Sequence, residues 1–485
     1  MWHEERLLID GELVPAEGNR TFETINPATG AVFGTAADAS VGDAKRAIEA
    51  ARRAFDTTSW STDHAFRARC LRQLHDALVR HQEELREVII AEVGAPDTLT
   101  RGPQLETPIG IANYYTDLLE KFEWIEDLGT AEAHGATHHR WVEKEAVGVV
   151  AAIVPYNYPL QITLAKLVPA LAAGCTVVVK GPPDTPWLTQ TFGAIVSETD
   201  IPAGVVSVLS SSSVEVGEVL TTDPMVDMVS FTGSTAVGRR IMAAASDTVK
   251  KVFLELGGKS AYIVLDDFDM ALACMISGFT ICSHAGQGCA ITTRMLVPQS
   301  KFDEAVEQLK TTLEGVPVGD PTDPSTMMGP LINARQWDKV NGYVERAVAA
   351  GAKVVTGGRR PPSLPDGFFF EPTLLIDVDP DSPIAQEEVF GPVLALIPYR
   401  DDDDAVAIAN NSIFGLSASV NGGDRDRALS VARRIRAGTV SVNGGMWYAP
   451  DAPFGGYKQS GIGREMGVPG LLEYLEMKTL AEPVS

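Results

Sequence analysis

The chain has 485 residues, 45% hydrophobic and 21% charged, with a formal net charge of −24. At ~150 residues per domain, this length implies about three units with sizeable cores. The acidic excess excludes a nucleic-acid binder, which needs cations to neutralise phosphates, and argues against an anionic membrane surface as partner. Five cysteines (Cys70, Cys175, Cys274, Cys282 and Cys289) are loosely spaced, with no Cys-x-x-Cys. Neither a disulfide framework nor a zinc site is expected, and a reduced, cytoplasmic setting fits. The first residues lack a basic segment followed by an apolar run, and no uninterrupted apolar stretch approaches about 18 residues, so neither a signal peptide nor a membrane-spanning helix is expected.

In chain order, residues 7–33 read as short strands and turns, punctuated by Asp10-Gly11 and Asn26-Pro27-Ala28-Thr29-Gly30. Apolar periodicity predicts helices over 41–55, 65–93 and 109–124. The polar stretch 131–145 reads as a projecting strand or linker, and its His134, His138 and His139 read as surface residues because no ligand-bearing partner stands at metal spacing. Apolar runs at 147–155, 175–180, 205–209, 226–231, 251–256 and 261–265 read as buried parallel strands, with helices at 160–173 and up to Ala245. The second half alternates again: strands at 295–297, 353–356, 393–399 and 439–443, helices at 301–313, 336–350, 405–410 and 425–436. A last strand is predicted over 472–480. The run Asp401-Asp402-Asp403-Asp404 suits the positive end of a helix better than a cation. Strand–helix alternation of this kind implies a doubly wound α/β fold.

Five short motifs carry chemistry. Ser283-His284-Ala285-Gly286-Gln287-Gly288-Cys289 presents one cysteine after a glycine-flanked turn. Such a thiol can act as nucleophile with its own N–H near the oxyanion it creates, or it is a small apolar residue packed at a turn. Leu254-Glu255-Leu256-Gly257-Gly258-Lys259 ends an apolar strand on a carboxylate whose desolvation suits a general base. Pro155-Tyr156-Asn157-Tyr158-Pro159 fixes an uncharged amide donor between two prolines. Phe231-Thr232-Gly233-Ser234-Thr235 opens a helix whose free N–H groups suit a pyrophosphate, although it is not the Gly-x-Gly-x-x-Gly fingerprint. Glu387-Glu388-Val389-Phe390-Gly391-Pro392 pairs a carboxylate with an aromatic two residues on, suited to a ribose and a flat ring.

Together with Lys180 after a buried strand and Pro453-Phe454-Gly455-Gly456-Tyr457-Lys458-Gln459-Ser460-Gly461, these motifs stand in an order that resembles the aldehyde dehydrogenase superfamily over essentially the whole chain. The resemblance implies two Rossmann-like doubly wound α/β domains plus a small β oligomerisation element. Residues 1–122 and 146–256 would form the dinucleotide-binding domain, 257–446 the catalytic domain, and 123–145 with 470–485 the oligomerisation strands of a homodimer or homotetramer.

The resemblance also implies roles. Cys289 would be the nucleophile, Asn157 and the Cys289 N–H the oxyanion donors, Glu255 the base that activates water on the thioester, and Glu465 a second carboxylate in proton traffic. Pro155, Tyr156, Lys180, Gly233, Ser234, Glu388 and Phe390 would contact the cofactor. No metal is implied. The cofactor would be NAD, with NADP open, because Pro183 stands where NAD-preferring relatives carry a ribose-binding Glu; Ser213 stands where relatives often have Gly near the adenine. Ala165 replaces a pocket tryptophan, so a roomy tunnel lined by Tyr158, Ala165, Trp447, Tyr448 and Phe454 would favour a bulky apolar or aromatic aldehyde. Two rivals remain: a CoA-acylating branch, against which Glu255 speaks, and a non-catalytic protein on the same fold, against which the full Cys289, Glu255 and Asn157 set speaks.

Overall fold

The computed structural model describes residues 4–444 and 448–484. Its first sheet is built on five parallel strands, Val149–Ile153, Thr176–Gly181, Val206–Ser210, Met228–Thr232 and Lys251–Glu255. Valine-rich runs buried on both faces explain why these segments are strands with helices packed above and below. In space Met228–Thr232 lies beside Val149–Ile153, with Lys251–Glu255 beyond it on one side and Thr176–Gly181 and Val206–Ser210 on the other. The order therefore reverses between Val149–Ile153 and Met228–Thr232, and loops part there at the carboxyl ends, which opens a crevice. The register sets Ile153 opposite Lys180 and Phe231, and Thr232 opposite Glu255, so these residues share one rim.

A second sheet holds seven strands in the order Lys353–Thr356, Thr373–Ile376, Val393–Tyr399, Thr292–Pro298, Ser260–Val264, Ser417–Asn421 and Thr439–Val442. All are parallel except the edge strand Lys353–Thr356. Only Leu256-Gly257-Gly258-Lys259 separates the end of Lys251–Glu255 from the start of Ser260–Val264. That short link turns the carboxyl edge of the first sheet toward the amino edge of the second, and the site is built at this seam.

The polar stretch 131–145 forms parts of two strands. Ile125–Ala133 and Ala136–Ala146 make a hairpin across His134 and Gly135, both left-handed, and Leu475–Pro483 pairs along Ala136–Ala146. The predicted helix 65–93 is two helices, His64–Arg80 and Gln82–Val93, broken at His81, whose ring bonds to Glu84 and Glu198. Apolar periodicity runs straight across that break and could not reveal it. The helix expected over 109–124 is Glu106–Leu119; beyond it Phe122 and Trp124 pack edge to face, and a strand begins at Ile125. Helices Pro186–Ser197, Val214–Thr222 and Met270–Cys282 and strands Thr373–Ile376 and Ser417–Asn421 were not anticipated. Asp401 caps the helix Asp402–Asn410 by accepting from the Asp404 N–H, while Arg427 and Arg400 pair with Asp402 and Asp404. No helix among the described residues is long and apolar enough to cross a membrane.

Candidate active site

Cys289 stands three residues before the strand Thr292–Pro298. The turn ahead of it is unusual: His284, Ala285 and Gly286 are successively left-handed, with φ of 47°, 51° and 71°. Such φ values strain residues that carry a Cβ and persist only when the surroundings impose them. At Gly286 a Cβ would come 2.2 Å from the Gly391 carbonyl oxygen, so only glycine allows this turn to seat on the backbone that follows Glu388. Gln287 fastens the turn, donating from Nε2 to the His284 carbonyl at 3.2 Å and accepting from the Ile332 N–H at 3.0 Å. Cys289 itself is half-buried and packs against the cluster of Ala290, Leu416 and Phe454, on which Tyr448 also packs. Desolvation pushes its thiol well above the usual range, and the charges of Glu255, Glu388 and Glu465 push the same way.

Asn157 is 2% exposed, between the strand Val149–Ile153 and the helix Pro159–Ala173. Its Nδ2 donates to the Gln287 carbonyl at 2.9 Å, two residues from the thiol, and its own carbonyl accepts from Gln104 Nε2 at 2.7 Å. Glu255 is also 2% exposed, and neither carboxyl oxygen has a hydrogen-bond partner among the described residues. Burial raises its carboxyl well above the ordinary range; Glu465 adds to the rise, while Lys166 and Arg464 oppose it. Glu465 Oε1 accepts from Lys166 Nζ at 2.8 Å, both side chains buried. The Glu465 backbone exchanges two hydrogen bonds with Phe454, at 2.7 and 2.8 Å, which ties this carboxylate to the wall beside Cys289. The seam is tight: a Cβ at Gly258 would lie 2.4 Å from the Cys289 carbonyl oxygen.

On the rim of the first sheet, a cleft of about 660 Å³ is lined by Ile153, Lys180, Pro183, Ser211, Ser212, Ser213, Phe231, Val237 and Ile241. Lys180 Nζ donates to the carbonyls of Gly181 at 3.0 Å and Ser211 at 3.4 Å, and burial lowers its ammonium to about 8. Gly233 N–H donates to the Glu255 carbonyl at 3.0 Å, and the Ser234 hydroxyl caps the helix Thr235–Ala245 by accepting from Val237 N–H at 3.3 Å. Across the seam, Glu388 Oε1 accepts from Gly258 N–H at 3.0 Å. Phe390 is left-handed at φ 61° and meets Tyr156 edge to face at 6.1 Å.

Sequence reasoning missed several residues here. Gln336 Nε2 holds the loop of Glu388 by donating to the carbonyls of Val389 at 3.1 Å and Phe390 at 2.7 Å. Lys339, one turn further on the same helix, faces Glu388. Lys166 was legible as a lone charge in Leu-Ala-Lys-Leu-Val, a run too apolar to leave it at a surface. Of the tunnel residues, Tyr158 packs edge to face on His284 at 5.4 Å, Tyr448 on Phe454 at 5.2 Å, and Ala165 is fully enclosed in the helix Pro159–Ala173. Trp447 lies outside the described residues. His139 bonds Asp127 at 2.9 Å and stacks on Trp141, and no group of three metal-ligating side chains occurs among the described residues.

Residues 13–480 match the family model described as aldehyde dehydrogenase family. The chain is 41% identical over 478 residues to a 3-succinoylsemialdehyde-pyridine dehydrogenase from a Pseudomonas species, covering 97% of each. It is similar to two solved structures. One is a betaine aldehyde dehydrogenase from Staphylococcus aureus in complex with NAD+, at 36% identity and a TM-score of 0.96, covering 99% of this chain and 95% of that one. The other is a Mycobacterium tuberculosis aldehyde dehydrogenase complexed with NAD+, at 39% identity and a TM-score of 0.95, covering 99% and 98%.

Proposed function

The chain belongs to the aldehyde dehydrogenase family, and from that premise we propose that it oxidises an aldehyde to the carboxylic acid by covalent catalysis on Cys289. One observation supports this reading: the Asn157 amide is tied to the turn that carries Cys289, and Gly258, three residues after Glu255, packs directly on the Cys289 carbonyl. The Cys289 thiol gives up its proton through Glu255 and the Glu465–Lys166 pair, and the sulfur, now a thiolate, attacks the carbonyl carbon. The resulting oxyanion is held by the second Asn157 N–H and the Cys289 backbone N–H. When bound, the oxidised nicotinamide supplies a hydride acceptor and a positive charge. Loss of hydride from the thiohemiacetal leaves a thioester on Cys289. Glu255 takes a proton from water, the hydroxide attacks the thioester carbon, and the Cys289 thiolate leaves as the carboxylic acid forms. The buried Glu255 carboxyl takes the proton in a site shut off from solvent, and the Glu465–Lys166 pair offers that proton a route onward.

The residues on the rim fit a dinucleotide. The helix Thr235–Ala245 starts at this rim, just after Gly233 and Ser234, the buried Thr232 hydroxyl has no partner among the described residues, and Lys180 and three serines face an apolar wall of Ile153, Val237 and Ile241. Lys180 would hold the adenosine ribose, Glu388 the nicotinamide ribose, and Pro155, Tyr156 and Phe390 the nicotinamide ring. The cofactor is NAD, as in the two similar structures; NADP is also accepted, because Pro183 brings no carboxylate against a 2′-phosphate.

The substrate is a bulky, ring-bearing aldehyde, in keeping with Tyr158, Tyr448 and Phe454 near Cys289 and with the ring in the name of the Pseudomonas relative. Residues 1–122 with 146–256 would form one large domain and 257–446 the other, a division supported by the two large sheets although the edge strand Gly461–Ile462 joins the first from outside both ranges; the exposed strand Leu475–Pro483 with its hairpin would join copies into a homodimer or homotetramer. Five free thiols suit the cytoplasm. The test is a panel of aldehydes with NAD and NADP separately, followed by absorbance of the reduced cofactor. Turnover that Cys289→Ala abolishes, with acid as product and no need of CoA, supports the reading. Absence of reduced cofactor with every aldehyde would refute it.

A further inference from the structure

The short segment 332–336 is tied to three loops on which the site depends. At one end the Ile332 N–H donates to Gln287 Oε1 in the catalytic turn at 3.0 Å. At the other, Gln336 Nε2 holds the Val389 and Phe390 carbonyls. Asn333 lies between them and uses both ends of its amide. Its Oδ1 accepts from the Gln336 N–H at 2.8 Å, which caps the helix Ala334–Ala349. Its Nδ2 donates to Asp184 Oδ1 at 2.7 Å. Asp184 follows Pro183 on the loop after the strand Thr176–Gly181, so this bond crosses from the Glu388–Phe390 side of the seam to the wall that carries Lys180. The two sides also converge on Tyr156. Its ring meets Phe390 edge to face, burial raises its phenol, and the charges of Asp184 and Glu388 add to the rise.

We infer that Asn333 is a positioning residue that sets the span of the cofactor cleft, holding the Asp184 wall and the Glu388–Phe390 loop at the separation an intact dinucleotide needs. This rests on the cofactor reading, with adenosine against Lys180 and nicotinamide against Phe390. A ligand that reaches both walls gains from each only while their spacing is held, whereas a ligand that occupies one wall does not sense the spacing. An amide donating to a carboxylate makes a charge-assisted bond, stronger than a neutral pair and suited to hold that spacing. Because the same segment carries Ile332 to Gln287, the brace also backs the turn that presents Cys289.

The test compares NAD with ADP, which carries the adenosine and both phosphates but no nicotinamide half, by calorimetric titration of the full chain. Asn333→Asp keeps an oxygen for the helix cap and sets two carboxylates face to face. Its Kd for NAD should rise about tenfold while its Kd for ADP stays within about twofold of wild type. Asn333→Ser, which caps the helix but is too short to reach Asp184, should show the same split with no added charge. The exchanged pair, Asp184→Asn with Asn333→Asp, again faces one donor with one carboxylate and should bring NAD binding back to within about threefold of wild type. A merely structural role, or plain repulsion of phosphates, would weaken NAD and ADP alike. That result overturns the inference, as does an unchanged Kd for NAD or an exchanged pair no better than Asn333→Asp alone, and each leaves the proposed reaction standing. Failure of the wild-type chain to bind either ligand would instead remove the cofactor reading, and the inference with it.

Discussion

Lys166 Nζ lies 2.8 Å from Glu465 Oε1, and this buried pair stands beside a Glu255 carboxyl that has no hydrogen-bond partner among the described residues. Glu465 helps Glu255 keep its proton, while Lys166 works against that. Glu465→Gln removes the first influence and leaves the second uncompensated, and both changes lower the Glu255 pKa. Because the base must be ionised, the limb of kcat that rises with pH should move to lower pH. A pH profile of steady-state turnover reads this directly. The same variant strands a buried ammonium, so its unfolding free energy should drop by about 3–5 kcal/mol in a denaturant titration.

Asn157 ties the catalytic turn to the first sheet and points a neutral donor at the place where an oxyanion forms. Asn157→Ala should reduce kcat/KM by about 10²–10³. Rapid-mixing measurement of the first turnover should locate the loss in formation of the reduced cofactor, before release of the acid. An unchanged first turnover would remove Asn157 from that step.

Pro183 and Lys180 line the same cleft. Pro183→Glu adds a carboxylate that repels a 2′-phosphate, so kcat/KM with NADP should fall by about tenfold or more while NAD is held or improved. Lys180 loses its proton near pH 8 because burial lowers its ammonium. An attraction between Lys180 and a 2′-phosphate weakens above that pH, so KM for NADP should climb more steeply than KM for NAD when both are measured on either side of it. Parallel changes would place Lys180 away from the phosphate.

Glu92, at the end of a helix, accepts from the N–H groups of Trp187 at 2.8 Å and Leu188 at 2.9 Å and from the Thr24 hydroxyl at 3.0 Å. Glu92→Ala removes the carboxylate that two buried N–H groups of a helix start donate to and should cost about 2–4 kcal/mol. Burial raises the Glu92 carboxyl from 4.5 to about 8. Between those values the native chain holds a proton that the unfolded chain has released, so this group's contribution to stability falls as pH rises, by at most about 1.4 kcal/mol per pH unit. Glu92→Gln, which cannot titrate, should flatten that part of the stability–pH curve.

Much of the site was legible before any coordinates. Glu255 ends an apolar run ahead of two glycines, Cys289 follows a glycine-rich turn, and Asn157 sits between prolines; each pattern is local, and chemistry could be read from it. The residues that support them were not legible, because they depend on packing between distant segments. Gln336 lies about fifty positions before Phe390 yet holds its carbonyl, and Gln104 meets Asn157 only because a helix of the first domain folds back. His81 breaks a helix whose apolar spacing runs on undisturbed. The three left-handed residues before Cys289 could not be foreseen either, since two of them carry side chains that disfavour such φ, and the Gly391 backbone that crowds Gly286 lies about a hundred positions away.

Mass spectrometry of intact Glu255→Gln, mixed with a good aldehyde and oxidised cofactor, tests the covalent route most directly. The account predicts a burst of reduced cofactor and a species heavier by the aldehyde less two hydrogen atoms, mapped to Cys289 and absent in Cys289→Ala. Full-speed linear turnover with no such adduct would contradict it.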